Sequence, residues 1–176
     1  MLSSGDMDDL MVRISKKDMD AFQEFYMEMN KAIYGLAYVI TKSPYDAEDI
    51  MQNTFIRIWD KAYQYHPSTN ARAWAMKIAR NLALTKLKDS KRFVELSTEL
   101  PSEDAFMRTI HLQELTMLLS TLKKDEREIV ILYSVGFSHK EIAEIVKKPC
   151  ATVRGKYSRA INKMSIIESG GNYERA

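Results

Sequence analysis

Between Lys147 and Lys163 the chain carries six lysines and arginines and no aspartate or glutamate, a surface suited to phosphate. The run opens on a turn, Lys147-Lys-Pro-Cys150, that follows Ser138-His-Lys-Glu-Ile-Ala-Glu-Ile-Val146. Ser138 with Glu141 three residues on reads as a capping box. Ile142, Ala143 and Val146 share a face, and Pro149 stops the helix. The next helix puts Val153, Ala160, Ile161 and Met164 inward and Arg154, Lys156, Arg159 and Lys163 outward. This is the pattern of a helix-turn-helix that lays its second helix in the DNA major groove. An ordinary helical hairpin with a solvated basic face is the alternative, and it leaves the coincidence of cap, turn and missing acids unexplained.

A second basic run lies between Ala71 and Arg92. It holds Arg72, Lys77, Arg80, Lys86, Lys88, Lys91 and Arg92 against Asp89 alone. The preceding loop and the same helix supply Tyr63, Tyr65, His66 and Trp74. Cations follow phosphates and flat rings receive bases, so this mixture suits a strand whose bases are unstacked. Trp74 taken alone reads first as core, since it shares the apolar face. Asn81 is polar in a helix of apolar and basic groups, and an amide can both donate to and accept from a base edge.

The third landmark is Asp46-Ala-Glu-Asp-Ile-Met-Gln-Asn-Thr-Phe55. Asp46 and Asp49 stand one helical turn apart, but no histidine or cysteine joins them, so the stretch reads as an acidic helix face for a protein partner. His66, His111 and His139 sit in unrelated contexts, and no glycine-rich phosphate loop is present. The expectation is a protein with no catalytic residues, no metal site and no cofactor.

Helices must position these groups. Helical periodicity is nearly continuous and strand signals are scarce, which predicts an all-α protein. A helix from about Met19 to Thr41 carries Phe22, Phe25, Tyr26, Met29, Ile33, Leu36, Ala37 and Ile40 as one stripe. Ser43 then reads as an N-cap with Pro44 at the first helical position. The helix it opens runs to about Ala62 and buries Ala47, Ile50, Met51, Phe55, Ile58 and Trp59. Tyr63 to Asn70 is a loop, with His66-Pro67 disfavouring helix. A third helix, from about Ala71 to Lys88, presents Trp74, Ala75, Ile78 and Leu82 on one side. Residues 89–105 collect acids with Ser97, Thr98, Pro101 and Ser102, the composition of a linker. Helical spacing returns from Phe106 to Leu122 and again from Lys124 to about Ser134. The expected organisation is a domain over 1–88, a flexible linker over 89–105 and a second domain over 106–176.

Bulk properties set few limits beyond these. In 176 residues, 45% are hydrophobic and 28% charged, enough for packed cores. The net charge of +2 hides a strong asymmetry, because Asp6, Asp8 and Asp9 open a chain whose later stretches are basic. The lone Cys150 excludes an intramolecular disulfide and fits a reducing cytoplasm. No signal peptide and no apolar run of membrane-spanning length are visible, so the expectation is a cytoplasmic protein without membrane insertion.

Taken in order, Ala21-Phe22, Ile33-Tyr-Gly-Leu-Ala-Tyr38, Asp46-Ala-Glu-Asp-Ile-Met-Gln52, Phe55-Ile-Arg-Ile-Trp59, Ala73-Trp74, Ile78-Ala-Arg-Asn81 and the terminal helix-turn-helix resemble the extracytoplasmic-function sigma factors of bacteria. The resemblance runs from about Asp18 to Met164. It implies two small helical domains, sigma region two and sigma region four, that bind core RNA polymerase and promoter DNA, duplex and melted single strand. By that resemblance Asp46, Glu48, Asp49 and Gln52 dock on the clamp helices of the largest polymerase subunit. Tyr65, His66, Asn70, Arg72, Lys77, Arg80 and Asn81 read the melted minus-ten element. Thr152, Arg154, Lys156, Arg159 and Lys163 read the duplex minus-thirty-five element. Such proteins are commonly held inactive by an anti-sigma factor, which no residue here identifies. The chain departs from the family pattern at Lys123, where a proline is usual, at Thr85, where an aspartate is common, and along Ala151-Thr-Val-Arg-Gly-Lys-Tyr157. The competing class is a helix-turn-helix repressor or activator with an N-terminal dimerisation or ligand module, which needs neither the second basic surface nor the acidic helix.

Overall fold

Most helices in residues 2–93 and 119–171, the part of the chain that the structure, a computed structural model, describes, open on a side chain that takes up an unpaired amide. Ser3 accepts from the Asp6 N–H at 3.1 Å, and Asp6 accepts from the Ser3 N–H at 3.0 Å, which starts α1 at Ser4–Ser15. Asp18 accepts from the Ala21 N–H at 3.0 Å to start α2, Met19–Thr41. Ser43 accepts from the Asp46 N–H at 3.2 Å and Pro44 takes the first helical position of α3, Pro44–Lys61. A short 3-10 turn, Ala62–Gln64, leads to the loop, and the Asn70 side-chain Oδ1 accepts from the Ala73 N–H at 3.0 Å at the start of α4, Ala71–Phe93. Further on come α5, Lys124–Ser134, α6, His139–Val146, and α7, Cys150–Gly171. The expected box at α6 is present: Ser138 accepts from the Glu141 N–H at 3.3 Å, and Glu141 accepts from the Ser138 N–H at 2.7 Å. Where the family usually has proline, the Lys123 N–H donates to the Glu126 carboxylate at 3.0 Å, a bond proline could not make.

The architecture is all-α, with no strand among the described residues. The chain divides into two compact units, Met1–Glu95 and Leu96–Ala176. In the first, α2 packs against α1, α3 and α4. Phe25, Met29, Ile33, Leu36, Ala37 and Ile40 of its stripe are buried, with Met7, Leu10, Met11 and Ile14 from α1 and Ala47, Ile50, Phe55 and Ile58 from α3. Phe22 is half-buried and sets its ring edge against Phe55 and Trp59. In the second unit, Leu132, Ile142, Ile145, Val153 and Ala160 are buried where α5, α6 and α7 meet. Tyr133, His139 and Tyr157 bring their rings within 4.3–5.1 Å of one another, so Tyr157 in the departing motif is a packing residue.

Several local features differ from the sequence reading; on α3, Met51 and Trp59, expected in the core, are half-buried. α1 is a capped helix with a buried stripe, where the acids had drawn attention to charge alone. α4 continues to Phe93, past the expected end at Lys88; residues 94–118, with most of the expected linker and of the helix from Phe106, lie outside the described residues. The buried residues of α4 are Ala71, Ala73, Ala75, Met76, Ala79 and Ala83, while Trp74, Ile78 and Leu82 are half-buried at its flank. Small side chains let α4 approach α2 and α3 closely, so the contact selects alanine over bulk. On α7, Ile161 is exposed and Met164 half-buried, not inward as the pattern suggested. Among the described residues no helix is long and apolar enough to cross a membrane.

Candidate nucleic-acid interface

The loop before α4 is held from beneath. Tyr65 is only 6% exposed, its ring stands edge-on to Trp74 at 5.8 Å, and its phenol donates to the Asp8 carboxylate. Burial, helped by that carboxylate, pushes the Tyr65 phenol up to about 12. The Ser68 and Ala71 N–H groups donate to the same carboxylate at 3.0 and 3.2 Å. The Thr69 hydroxyl donates to the His66 carbonyl at 2.6 Å, which closes the loop on itself. Ser68 and Asn70 both adopt φ 67°, a left-handed conformation that asparagine tolerates and serine adopts only under constraint. The result is an exposed crest, His66-Pro67-Ser68-Thr69, on a buried frame.

Of the seven residues expected on this surface, His66 and Asn81 are exposed, and Asn70, Arg72, Lys77 and Arg80 are half-buried. Tyr65 is the correction. Its buried ring and engaged hydroxyl make it a brace for the loop, out of reach of a base. Asn70 spends its side-chain carbonyl on capping α4. Lys77, Arg80 and Asn81 lie within about one turn of one another on α4.

The carboxylates of the acidic helix α3 differ in their surroundings. Lys86 of α4 reaches Asp46 at 3.5 Å and Asp49 at 3.3 Å, and the Asn53 amide donates to Asp49 at 2.9 Å. The hydrogen bond with Asp49 leads the effects that hold the Lys86 ammonium above its ordinary range. Asp46 and Asp49 therefore tie α3 to α4. Glu48 and Gln52 are exposed, and they continue into Tyr45 and Ile56, 77% and 58% exposed. Positions 45, 48, 52 and 56 follow helical spacing, a signal that could have found the two apolar members.

On α7 the basic residues also divide. Lys156 and, from the turn, Lys148 reach Asp125 at 3.1 and 2.9 Å, and Lys163 reaches Glu126 at 2.9 Å. The Lys148 hydrogen bond leads the effects that hold the Asp125 carboxyl below its usual range, against the penalty of burial. Burial pushes Glu126 up, but the bonds from Lys163 and the Lys123 N–H outweigh it, and the group also sits low. Lys156 and Lys163, expected outward, are thus turned onto α5. Thr152, Arg154 and Arg159 remain on the exposed face, beside Ser158. Arg159 folds back so that its Nε donates to the Gly155 carbonyl at 3.0 Å. A Cβ at Gly155 would meet only the Arg159 guanidinium at 3.8 Å, an ordinary contact. No internal packing demands glycine there. Among the described residues, no group of His, Cys, Asp and Glu side chains is arranged to hold a metal ion.

Comparison with known proteins matches residues 25–93 to sigma-70 region 2 and residues 112–164 to sigma-70 region 4. The chain is 28% identical over 127 residues to the ECF RNA polymerase sigma factor EcfG of Rhodopseudomonas palustris, spanning 69% of this chain and 70% of that protein. It is 22% identical over 175 residues to the ECF RNA polymerase sigma factor SigK of Mycolicibacterium vanbaalenii, spanning 93% and 89%. Its fold is similar to that of the sigma factor RpoE of Bartonella quintana, solved with the anti-sigma factor NepR, at a TM-score of 0.71 and 25% identity over 84% of this chain and 96% of that one. CnrH, solved with the cytosolic domain of CnrY, shares the fold at a TM-score of 0.70 and 23% identity, over 94% and 98%.

Proposed function

The chain belongs to the extracytoplasmic-function sigma factors, with sigma-70 regions 2 and 4, and from that premise we propose how its surfaces divide the work of directing core RNA polymerase to promoters. The crest His66–Thr69 with Lys77, Arg80 and Asn81 takes the melted minus-ten strand. Thr152, Arg154 and Arg159 on α7 take the minus-thirty-five duplex. The α3 stripe of Tyr45, Glu48, Gln52 and Ile56 docks on polymerase. The protein supplies recognition in the cytoplasm and no bond chemistry of its own. An anti-sigma factor as its restraining partner rests on the likeness to RpoE bound to NepR.

The observation that carries this reading is the braced crest His66–Thr69, with an exposed amide, Asn81, further along the helix that follows it, since a protein that reads only duplex has no use for either. Extruding a base costs a few kcal/mol, which stacking and hydrogen bonds to the reading surface must return. Asn81→Ala should therefore impair open-complex formation with core binding intact. On a premelted template the variant should still bind poorly, because the base contact itself is lost. Normal affinity for the single-stranded element would count decisively against base reading by Asn81. Run-off transcription with core polymerase on genomic promoters tests the reading as a whole.

The two faces of α7 give a second expected result. Arg154→Ala should cost roughly 1–3 kcal/mol on the cognate duplex and relax preference at one base pair. Arg159→Ala should weaken all duplexes alike, as loss of a phosphate contact does. Lys156→Ala removes a partly exposed ion pair with Asp125 and should change stability by less than about 1 kcal/mol, with base preference unaltered. Electrophoretic titration against a randomised duplex checks all three, and a changed base preference in the Lys156 variant would refute the division.

A further inference from the structure

We propose that Asp8, on the helix α1 that lies outside both matched family regions, is the positioning residue that sets the strand-reading crest in its working shape. The proposal rests on the reading of that crest as the reader of the melted strand. One carboxylate collects three donors from the loop: Oδ1 accepts from the Tyr65 phenol and the Ala71 N–H, and Oδ2 accepts from the Ser68 N–H. These donors bracket the crest on both sides. They also enclose Ser68 and Asn70, the two left-handed residues whose conformation an unanchored loop would not keep.

The anchor point is itself fixed. α1 is closed at its start by the Ser3–Asp6 box and buries Met7, Leu10, Met11 and Ile14 at no more than 3% exposure. Asp8 leaves that rigid helix half-buried, pointing to the underside of the loop, and so acts on DNA only through the loop. Its chemistry is hard to replace. An asparagine would keep one acceptor for Tyr65 and Ala71, but would set an NH2 group against the Ser68 N–H, donor facing donor. Glutamate would keep the charge and shift it by a methylene. The structure therefore assigns the crest a two-part design, in which exposed residues meet the base and a carboxylate some sixty residues away holds them there.

The test uses the full chain with core polymerase and a premelted promoter chosen by run-off transcription with the unaltered protein. An abasic site is scanned through the non-template strand of the bubble, and affinity is read at each position. The unaltered protein should lose roughly tenfold in affinity at the position whose base the crest reads. Asp8→Ala should lose roughly tenfold on the intact bubble and become insensitive to the abasic site at that position, with the rest of the profile preserved. Asp8→Asn and Tyr65→Phe, each of which removes one arm of the bracket, should fall between. Core binding and duplex binding should match those of the unaltered protein. A residue that merely stabilised the unit would depress core binding and every position alike, leaving the shape of the profile unchanged, and that outcome overturns the proposal. So does an Asp8→Ala profile identical to the original. Should Asp8→Ala fail to fold, the profiles of the two milder variants decide by the same criterion. An original profile with no sensitive position would instead refute strand reading by the crest, and the proposal with it.

Discussion

Replacing Glu48 with lysine should weaken binding to core RNA polymerase by on the order of 2–5 kcal/mol and leave the unfolding midpoint unchanged. Glu48 is exposed on α3, between Tyr45 and Gln52, and makes a stripe with Ile56 that nothing in its own unit covers. Apolar side chains that are 58–77% exposed beside a carboxylate and an amide form a patch of mixed character, suited to a partner that buries the centre and pairs the charge. Reversing that charge at a desolvated contact leaves two like charges facing, which explains the size of the effect. Asp49→Lys is a poorer test than sequence alone suggests. It would break the bonds to Lys86 and Asn53 and set two ammonium groups together, so lost docking would be mixed with a loosened α3–α4 contact. The measurement is a titration of labelled protein with core polymerase, paired with thermal unfolding. Core affinity equal to that of the unaltered protein would remove α3 from the docking surface. A lowered midpoint would show that Glu48 has a structural role that its exposure does not suggest.

The features legible in the sequence were the local ones. Ser43, Pro44, Ser138 and Glu141 mark helix starts through contacts within four residues, so their meaning does not depend on the rest of the fold. The α2 stripe was legible because a long helix repeats its period often enough to be distinguished from chance. α1 has the same kind of stripe in Met7, Leu10, Met11 and Ile14, but over three turns only, and its three aspartates stand out first as charge. Of the face of α4 the sequence reading found Ala75 but missed Ala79 and Ala83, because hydrophobicity ranks Trp74 and Leu82 above them, whereas close helix approach ranks them the other way. Lys156 and Lys163 show a further limit. Periodicity says which side of α7 they occupy, but only the fold brings Asp125 and Glu126 within reach of that side. Asp8 is the extreme case, since its three partners lie 57 to 63 residues away and two of them are backbone groups with no signature in composition.

Phe25→Ala should destabilise the first unit by about 3–5 kcal/mol, the cost of deleting a large buried ring together with the cavity it leaves. Phe25 is 0% exposed in the first half of α2, the helix that packs against α1, α3 and α4. For a unit of this size each kcal/mol moves the midpoint by roughly 4–8 °C, so the shift should be large. Met27→Ala supplies the control on the same helix. Met27 is 68% exposed, and its loss should change stability by no more than about 0.5 kcal/mol. The chain provides its own reporter, because both of its tryptophans, Trp59 and Trp74, belong to the first unit. Trp59 packs on Phe22 and Trp74 on Tyr65, so tryptophan fluorescence follows the melting of that unit directly. The functional consequence separates this variant from Glu48→Lys. The proposed docking stripe on α3 and the proposed strand-reading crest before α4 both hang on the α2 core, so polymerase binding and strand capture should fail together as the fluorescence transition is crossed. In Glu48→Lys only the first should fail, at every temperature below the midpoint. Equal midpoints for the Phe25 and Met27 variants would mean that the core is organised around some other residue than the one most deeply placed in it.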